Sequence, residues 1–265
     1  MTLPRYSILV PTFNESEIIL DTLRDILGTI GTEKGLQTEI IIVDDGTDNL
    51  PVKIQDNLHN FRCFDLKVLR NNPPKGKGNS LAAGFEVAKG KIVGFLDADL
   101  STPSKYIPIA ISALENEDID LFIGSRRGPE SLVTREQFFL KDFLGNCLGI
   151  LARKFLFAGM RNFEDTQCGF KFYKNEVAKV LYKDLLAGDG LNDLEVLIRA
   201  NLLKYSVKEF GVVWTDVRES KRTLRRILMG EIAAIGKIIF RYRLSHFNLN
   251  KFQSRNVLTR DRLTK

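Results

Sequence analysis

Cysteine is scarce in this chain: Cys63, Cys147 and Cys168 are the only three among 265 residues. They are odd in number and far apart. That excludes a disulfide framework and any Cys-x-x-Cys metal spacing, and it points to a reducing compartment. Long apolar runs are missing too. No stretch of about 20 uncharged apolar residues occurs, so no segment is expected to span a bilayer. The opening residues, Met1-Thr2-Leu3-Pro4-Arg5-Tyr6, lead straight into a strand pattern, and neither a signal peptide nor an amino-terminal anchor is expected. The excess of base is small, with 39 lysines and arginines against 33 acidic residues, a net charge of +6. Such a charge suits an anionic ligand or a membrane surface and is too weak to argue for nucleic acid. Neither a Walker loop nor a Gly-x-Gly-x-x-Gly fingerprint is present, so two common phosphate-binding devices are excluded. What remains is a globular composition, 44% hydrophobic and 27% charged. The chain is long enough for one large domain or two small ones.

The first hundred residues alternate between two patterns. Short apolar runs at 6–10, 39–43, 66–69 and 91–96 predict buried strands, and helical spacing over 16–28, 51–59 and 80–89 predicts helices. Strand-helix units in series predict a Rossmann-like α/β fold, a mostly parallel sheet covered by helices. Polar residues gather where the predicted strands end: Thr12 and Glu15, Asp44 and Asp45, Lys77, then Asp97 and Asp99. In such a sheet the carboxyl ends of the strands open the ligand crevice.

The most informative stretch is Asp97-Ala98-Asp99-Leu100-Ser101-Thr102-Pro103, directly after the apolar run 92–96. In extended backbone Asp97 and Asp99 point the same way. Two like charges on one face call for a cation between them, and a hard divalent ion held partly by phosphate oxygens satisfies both. Taken alone, the pair fits a solvated loop capping the helix that Pro103 helps start better than a metal site. The other polar strand ends ask for the same ligand and tip the balance toward a nucleotide-diphosphate site. Lys77, flanked by Gly76 and Gly78 ahead of a helix, is placed to approach phosphate.

Three motifs in the first half resemble those of the inverting GT-A glycosyltransferases of family 2 in order and approximate spacing. They are Val10-Pro11-Thr12-Phe13-Asn14-Glu15, Ile42-Val43-Asp44-Asp45-Gly46-Thr47 and Asp97-Ala98-Asp99. In the second half, Gly124-Ser125-Arg126, Asp165-Thr166-Gln167-Cys168-Gly169-Phe170-Lys171, and Val213-Trp214-Thr215-Asp216 with Ser220-Lys221 narrow the resemblance. These are similar to the dolichyl-phosphate β-glucosyltransferases and the polyprenyl-phosphate mannose synthases. The resemblance implies that Pro11, Thr12, Glu15 and Asp45 surround base and ribose. It implies that Asp97 and Asp99 hold Mg²⁺ or Mn²⁺ and the diphosphate, and that Asp165 and Gln167 line the sugar side. Arg126 and Lys221 would contact phosphates of donor or acceptor, which makes Asp99, Arg126 and Lys221 the implied catalytic set. In the mannose synthases the residue two after the second aspartate can be a metal-binding glutamine; here it is Ser101, a poorer ligand.

The implied reaction is inverting transfer of a hexose to a polyprenyl or dolichyl phosphate, from UDP-glucose in preference to GDP-mannose. A lipid monophosphate is already an anionic nucleophile near neutral pH, so no protein base is required. The need is to position two anions and balance their charge, which gives a purpose to Arg126, Arg135, Lys171, Arg218 and Lys221. Two other readings stay open. One is a transferase that elongates a glycan or polysaccharide at a hydroxyl, with Asp193 or Glu195 as base. The other is a non-catalytic nucleotide-binding module.

Toward the carboxyl end, apolar residues recur at Leu224, Ile227, Leu228, Ile232, Ile235, Ile238, Ile239 and Tyr242, flanked by Arg222, Arg225, Arg226, Lys237, Arg241 and Arg243. The spacing predicts an amphipathic helix, suited equally to a membrane interface and to docking on the domain. A second apolar region, 138–160, is interrupted by Arg153 and Lys154 and is a candidate wall for a prenyl chain. The expected organisation is a GT-A domain over 1–221, an amphipathic segment over 222–248 and a basic tail over 249–265. The expected location is peripheral, on the cytoplasmic face of a membrane.

Overall fold

The computed structural model describes residues 4–35, 37–128, 130–134, 163–188, 191–215 and 233–244. A seven-stranded sheet, order β3-β2-β1-β4-β7-β5-β8, forms the centre. Its strands are β1 (Tyr6–Thr12), β2 (Thr38–Asp44), β3 (Asp65–Arg70), β4 (Ile92–Leu96), β5 (Leu121–Ser125), β7 (Phe170–Lys174) and β8 (Val207–Gly211). All run parallel except β7, which is antiparallel to both its neighbours, β4 and β5. A two-stranded parallel ribbon of β6 (Leu132–Val133) and β9 (Val213–Trp214) stands beside the sheet.

The central strands are apolar without alternation, as burial on both faces demands: β2 and β4 are buried at every position. Neighbouring residues then feed opposite layers. Ile8, Val10, Ile40 and Ile42 pack with α1 (Ile19–Gly35), α2 (Leu50–Asn57) and α4 (Ile107–Asn116). Leu9, Ile41, Val43 and Phe95 pack with α3 (Lys77–Val87), α5 (Asn175–Tyr182) and α6 (Asn192–Leu202). Pro at the start of α2 and α4 suits the first helical turn, where a missing N–H costs nothing.

Helical residues 233–239 continue into a π-turn, Phe240–Leu244. Ile238 and Tyr242 are buried in the layer of α3, α5 and α6, and Ala234 and Ile235 pack against it. Of the two roles open to the amphipathic stripe, its described part therefore docks on the domain. Residues 224–232 lie outside the described residues. The chain leaves β1 for β2 and β3 on one side and returns to β4 on the other. That reversal opens a crevice between the carboxyl ends of β1 and β4. Because β7 is antiparallel, its amino end, preceded by Asp165–Gly169, arrives at the same edge.

Candidate active site

Register explains the floor of the crevice. Thr12 on β1 pairs with Asp44 on β2, which pairs with Arg70 on β3. Thr12 Oγ1 and Gly46 N donate to Asp44 Oδ1 at 3.1 and 3.0 Å. Arg70 Nε lies 3.5 Å from Asp44 Oδ2, and Nη2 donates to the carbonyls of Gly46 and Asp48. Asp44 is thus wholly buried and braces the turn after β2; it does not line the crevice as its place at a strand end predicts.

Asp45 faces the loop that leads into α3. Its Oδ1 accepts from Asn71 Nδ2 at 3.0 Å, Lys75 N at 2.7 Å and Ser80 Oγ at 3.2 Å, and its Oδ2 accepts from Gly76 N at 2.8 Å. Burial pushes its pKa up, but these donors, led by the two backbone amides, hold the carboxyl below its ordinary value. The consequence is a fixed loop 71–80, with Lys77 carried to the crevice. On the facing loop Pro11 and Glu15 are half-buried, and Phe13 between them is 60% exposed. Asn14 Oδ1 ties this loop to the next by accepting from Thr47 N and Asp48 N at 2.7 and 3.2 Å.

β4 stops at Leu96. Residues 97–100 form a turn closed by Leu100 N donating to Asp97 O at 3.0 Å, with Leu100 at a left-handed φ of 52°. The extended-strand argument for Asp97 and Asp99 therefore fails, because a turn presents the two carboxylates. Asp99 Oδ1 accepts from Ser101 N at 3.0 Å and Ser101 Oγ at 2.8 Å. Asp97 N donates to Gly169 O at 3.1 Å, and a methyl group on Gly169 would overlap Asp97 Oδ2. Only glycine admits that approach. Lys77 Nζ lies 2.5 Å from Asp97 Oδ1 and 5.3 Å from the centre of the Phe95 ring. Burial alone would lower the lysine's pKa, but the charges of Asp97, Asp193 and Asp99 raise it above its ordinary value, so it stays cationic.

β5 delivers Arg126. Its backbone N and Nε donate to Asp165 Oδ2 at 3.0 and 2.6 Å, and Nη2 to Oδ1 at 3.0 Å. The guanidinium stands 5.4 Å from the centre of the Trp214 ring. Asp165 is buried and accepts from Gln167 N as well, while its own N donates to Glu209 Oε1. Burial pushes its pKa up; Arg126 outweighs burial and holds it down at about 2. Thr215 N donates to Ser101 O at 2.9 Å, so the Trp214 wall is tied to the turn that carries Asp99.

Behind the crevice lie charges with inward partners. Lys171, wholly buried, donates to Asp193 Oδ1 at 2.7 Å and Cys168 O at 2.6 Å. Glu195 is wholly buried and accepts from Leu186 N, Ala187 N, Arg199 Nη2 and Tyr242 OH. Burial pushes the Cys168 thiol up to about 11, so it is neutral and inert at physiological pH.

The model of Glycosyl transferase family 2 matches residues 7–177, well over half of the chain. This protein belongs to glycosyl transferase family 2. The dolichyl-phosphate β-glucosyltransferase of Saccharomyces cerevisiae is 32% identical over 235 residues, which cover 82% of this transferase and 69% of that one. Glucosyl-3-phosphoglycerate synthase from Mycobacterium tuberculosis, solved with Mn²⁺, UDP and glucosyl-3-phosphoglycerate, superimposes with a TM-score of 0.60 at 17% identity. That match covers 88% of this chain and 80% of the synthase. A mannosyltransferase from Pyrobaculum calidifontis, solved with GDP-mannose and Mn²⁺, gives a TM-score of 0.54 at 17% identity, covering 97% and 87%. The fold is GT-A, and the protein is a glycosyltransferase.

In the transferase, Lys77, Asp97 and Asp99 come together at the end of β4, and Arg126 with Asp165 at the end of β5. Gln167 is half-buried beside them. Lys221, Arg135, Arg218, Cys147 and the apolar stretch 138–160 lie outside the described residues. The sequence places Gly169 and Trp214 in motifs that carry the family resemblance but assigns neither a role, and it assigns none to Asn71. Their roles are steric or depend on residues far along the chain. The donor set fits a hard divalent ion: two carboxylates, with the Ser101 hydroxyl committed to Asp99. Among the described residues no third acidic, His or Cys side chain joins them. An ion held here by these carboxylates would complete its shell with water or substrate oxygens.

Proposed function

We propose that this transferase moves a hexose from a nucleotide sugar to a polyprenyl or dolichyl phosphate, with inversion at the anomeric carbon. UDP-glucose is the favoured donor and GDP-mannose the next. The observation that carries this reading is the turn 97–100 with Lys77, an arrangement of two carboxylates and one cation, on a chain similar to a dolichyl-phosphate β-glucosyltransferase. Pro11, Thr12 and Glu15 would line the base and ribose, and Gln167 the sugar side. Asp45 would act by fixing the loop that carries Lys77, and Asp165 by fixing Arg126. Asp97 and Asp99 would hold Mg²⁺ or Mn²⁺, which supplies stabilisation of charge on the departing diphosphate.

The chain's own residues do the rest by position and charge. Lys77 remains protonated and offers its ammonium to the diphosphate. Arg126, fixed by Asp165 and Trp214, adds a second preorganised cation at the same sheet edge, where repulsion between donor and lipid phosphate must be balanced. Lys221 is proposed as a third. Glu195 accepts hydrogen bonds on both oxygens in a wholly buried position, and Asp193 is paired with buried Lys171. Both pairings count against a base for a hydroxyl acceptor. Peripheral contact with the cytoplasmic face of a membrane is supported by the exposed Phe240 and Lys237 on the docked helix and by the net charge of +6.

The test is transfer to polyprenyl phosphate from UDP-glucose and GDP-mannose, with Mg²⁺, Mn²⁺ or excess chelator. Metal-dependent formation of glucosyl-phosphoryl-prenol, inverted at the anomeric carbon, is expected. Transfer to glycan hydroxyls alone, or full activity in chelator, would overturn the reading.

A further inference from the structure

We propose that Lys77 and the divalent ion compete for one oxygen, so that the site takes up metal together with a nucleotide diphosphate and only weakly without it. This rests on the reading that Asp97 and Asp99 hold the ion. Asp97 has two oxygens to offer. Oδ2 packs against Gly169 so closely that a single methyl there would overlap it. Oδ1 carries the Lys77 ammonium at 2.5 Å. A carboxylate binds Mg²⁺ at about 2.1 Å, so an ion on Oδ1 would share its sphere with that ammonium. On Asp99 one oxygen, Oδ1, already accepts two hydrogen bonds from Ser101.

Lys77 is built to move. It is the first residue of α3, between Gly76 at φ 86° and Gly78, and its side chain is 31% exposed. The helix start is held independently, by Asp45 on the Lys75 and Gly76 amides and by Gly188 O accepting from Gly78 N at 2.9 Å. The ammonium can therefore leave Asp97 without disturbing the helix. Where it stands, the charges of Asp97, Asp193 and Asp99 all act on it. Metal alone removes its partner and supplies no other. A diphosphate supplies new anionic oxygens within reach of the same long side chain, so metal and donor bind with positive coupling. Lys77 is a positioning residue that makes the metal site conditional on the donor.

The experiment is Mn²⁺ binding followed by electron paramagnetic resonance of the free ion. It uses the full chain as wild type, Lys77→Met, Lys77→Gln and Lys77→Arg, each with and without UDP. Thermal unfolding without ligand shows which variants keep the fold. The two neutral variants should bind Mn²⁺ alone at least about tenfold more tightly than wild type, as expected for removal of one charge-assisted partner, and UDP should enhance that binding less. Lys77→Arg should keep the wild-type pattern. If wild type binds Mn²⁺ with UDP but the neutral variants gain no affinity for Mn²⁺ alone, competition is overturned and the metal reading stands. If wild type binds no Mn²⁺ even with UDP, both fall.

Discussion

Single residues in this site act mostly by steric permission and by paired charge. Gly169 is the sharpest case. A β-carbon there would overlap Asp97 Oδ2 and lie 2.5 Å from Cγ, so the carboxylate must move away from Gly169. Gly169→Ala should fold with a near-native melting temperature and lose kcat by roughly 10²-fold, the scale of an ångström-sized misplacement of a catalytic group. Steady-state kinetics beside circular dichroism checks this. Asp165 makes a different prediction. Its pKa of about 2 lies below the ordinary 3.8 because Arg126 outweighs the cost of burial. A depressed carboxyl pKa stabilises the fold fully above about pH 4, and that contribution is lost as pH falls toward about 2. Asp165→Asn should cost about 3–5 kcal/mol at pH 7, the range for breaking a buried ion pair. The deficit should shrink below pH 4. Urea titrations of both proteins at pH 7 and pH 3 measure the difference.

At the level of elements, the carboxyl-terminal helix is joined to the body of the domain by a buried polar knot. Arg199 Nε donates to Tyr242 OH at 2.6 Å, Tyr242 OH donates to Glu195 Oε1 at 2.7 Å, and Arg199 also holds the carbonyls of Leu181 and Asp184. Glu195 Oε2 fixes the amides of Leu186 and Ala187, just before Gly188 meets the start of α3. Tyr242→Phe removes the hydroxyl and leaves buried polar groups short of a partner. It should destabilise the fold by about 1–3 kcal/mol, read as a lower urea midpoint at unchanged slope. The loop 71–80 depends on Asp45 in the same way. Asp45→Asn replaces an acceptor oxygen with a donor, so at least one of the hydrogen bonds to Asn71, Lys75, Gly76 and Ser80 is lost. The KM for the nucleotide sugar should rise more than kcat falls, because the loop carries Lys77 to the donor.

For the whole molecule, among the described residues no helix is long and apolar enough to cross a membrane. The proposed lipid acceptor makes the exposed face of the described carboxyl-terminal helix the place to test for membrane contact. On helix 233–239 and its π-turn, Ile238 and Tyr242 are buried while Lys237 and Phe240 are exposed. Deleting the whole segment would remove part of the core along with any membrane contact, so point substitutions are the better probe. Lys237→Glu with Phe240→Ala should weaken co-sedimentation with anionic vesicles, with about 1 kcal/mol carried by the charge near the surface. Thermal stability should be unchanged. Raised salt should weaken wild-type binding in the same direction. Equal sedimentation of wild type and variant at low salt would remove this face from the membrane contact.

The sequence by itself determined the first four strands of the sheet and the identity of their polar ends, but not the antiparallel β7 or β5 and β8 beyond it. Runs such as Ile40-Ile41-Ile42-Val43 and Ile92-Val93-Gly94-Phe95-Leu96 have no polar face, and their shortness and β-branched residues mark them as strands buried between helices. The motifs at their ends were local enough to read directly. What the sequence left open was the direction in which those polar groups point. Asp44 and Asp45 are adjacent, yet one is sealed under Thr12 and Arg70 and the other clasps a loop 30 residues onward. Asp97 and Asp99 stand in a turn because Ser101 and Gly169 shape it. Whether the carboxyl-terminal stripe met lipid or protein was equally open, because an apolar face is satisfied by either. Tertiary packing decided it for Ile238 and Tyr242, where Glu195 and Arg199 offer a hydroxyl the partners that a hydrocarbon phase lacks.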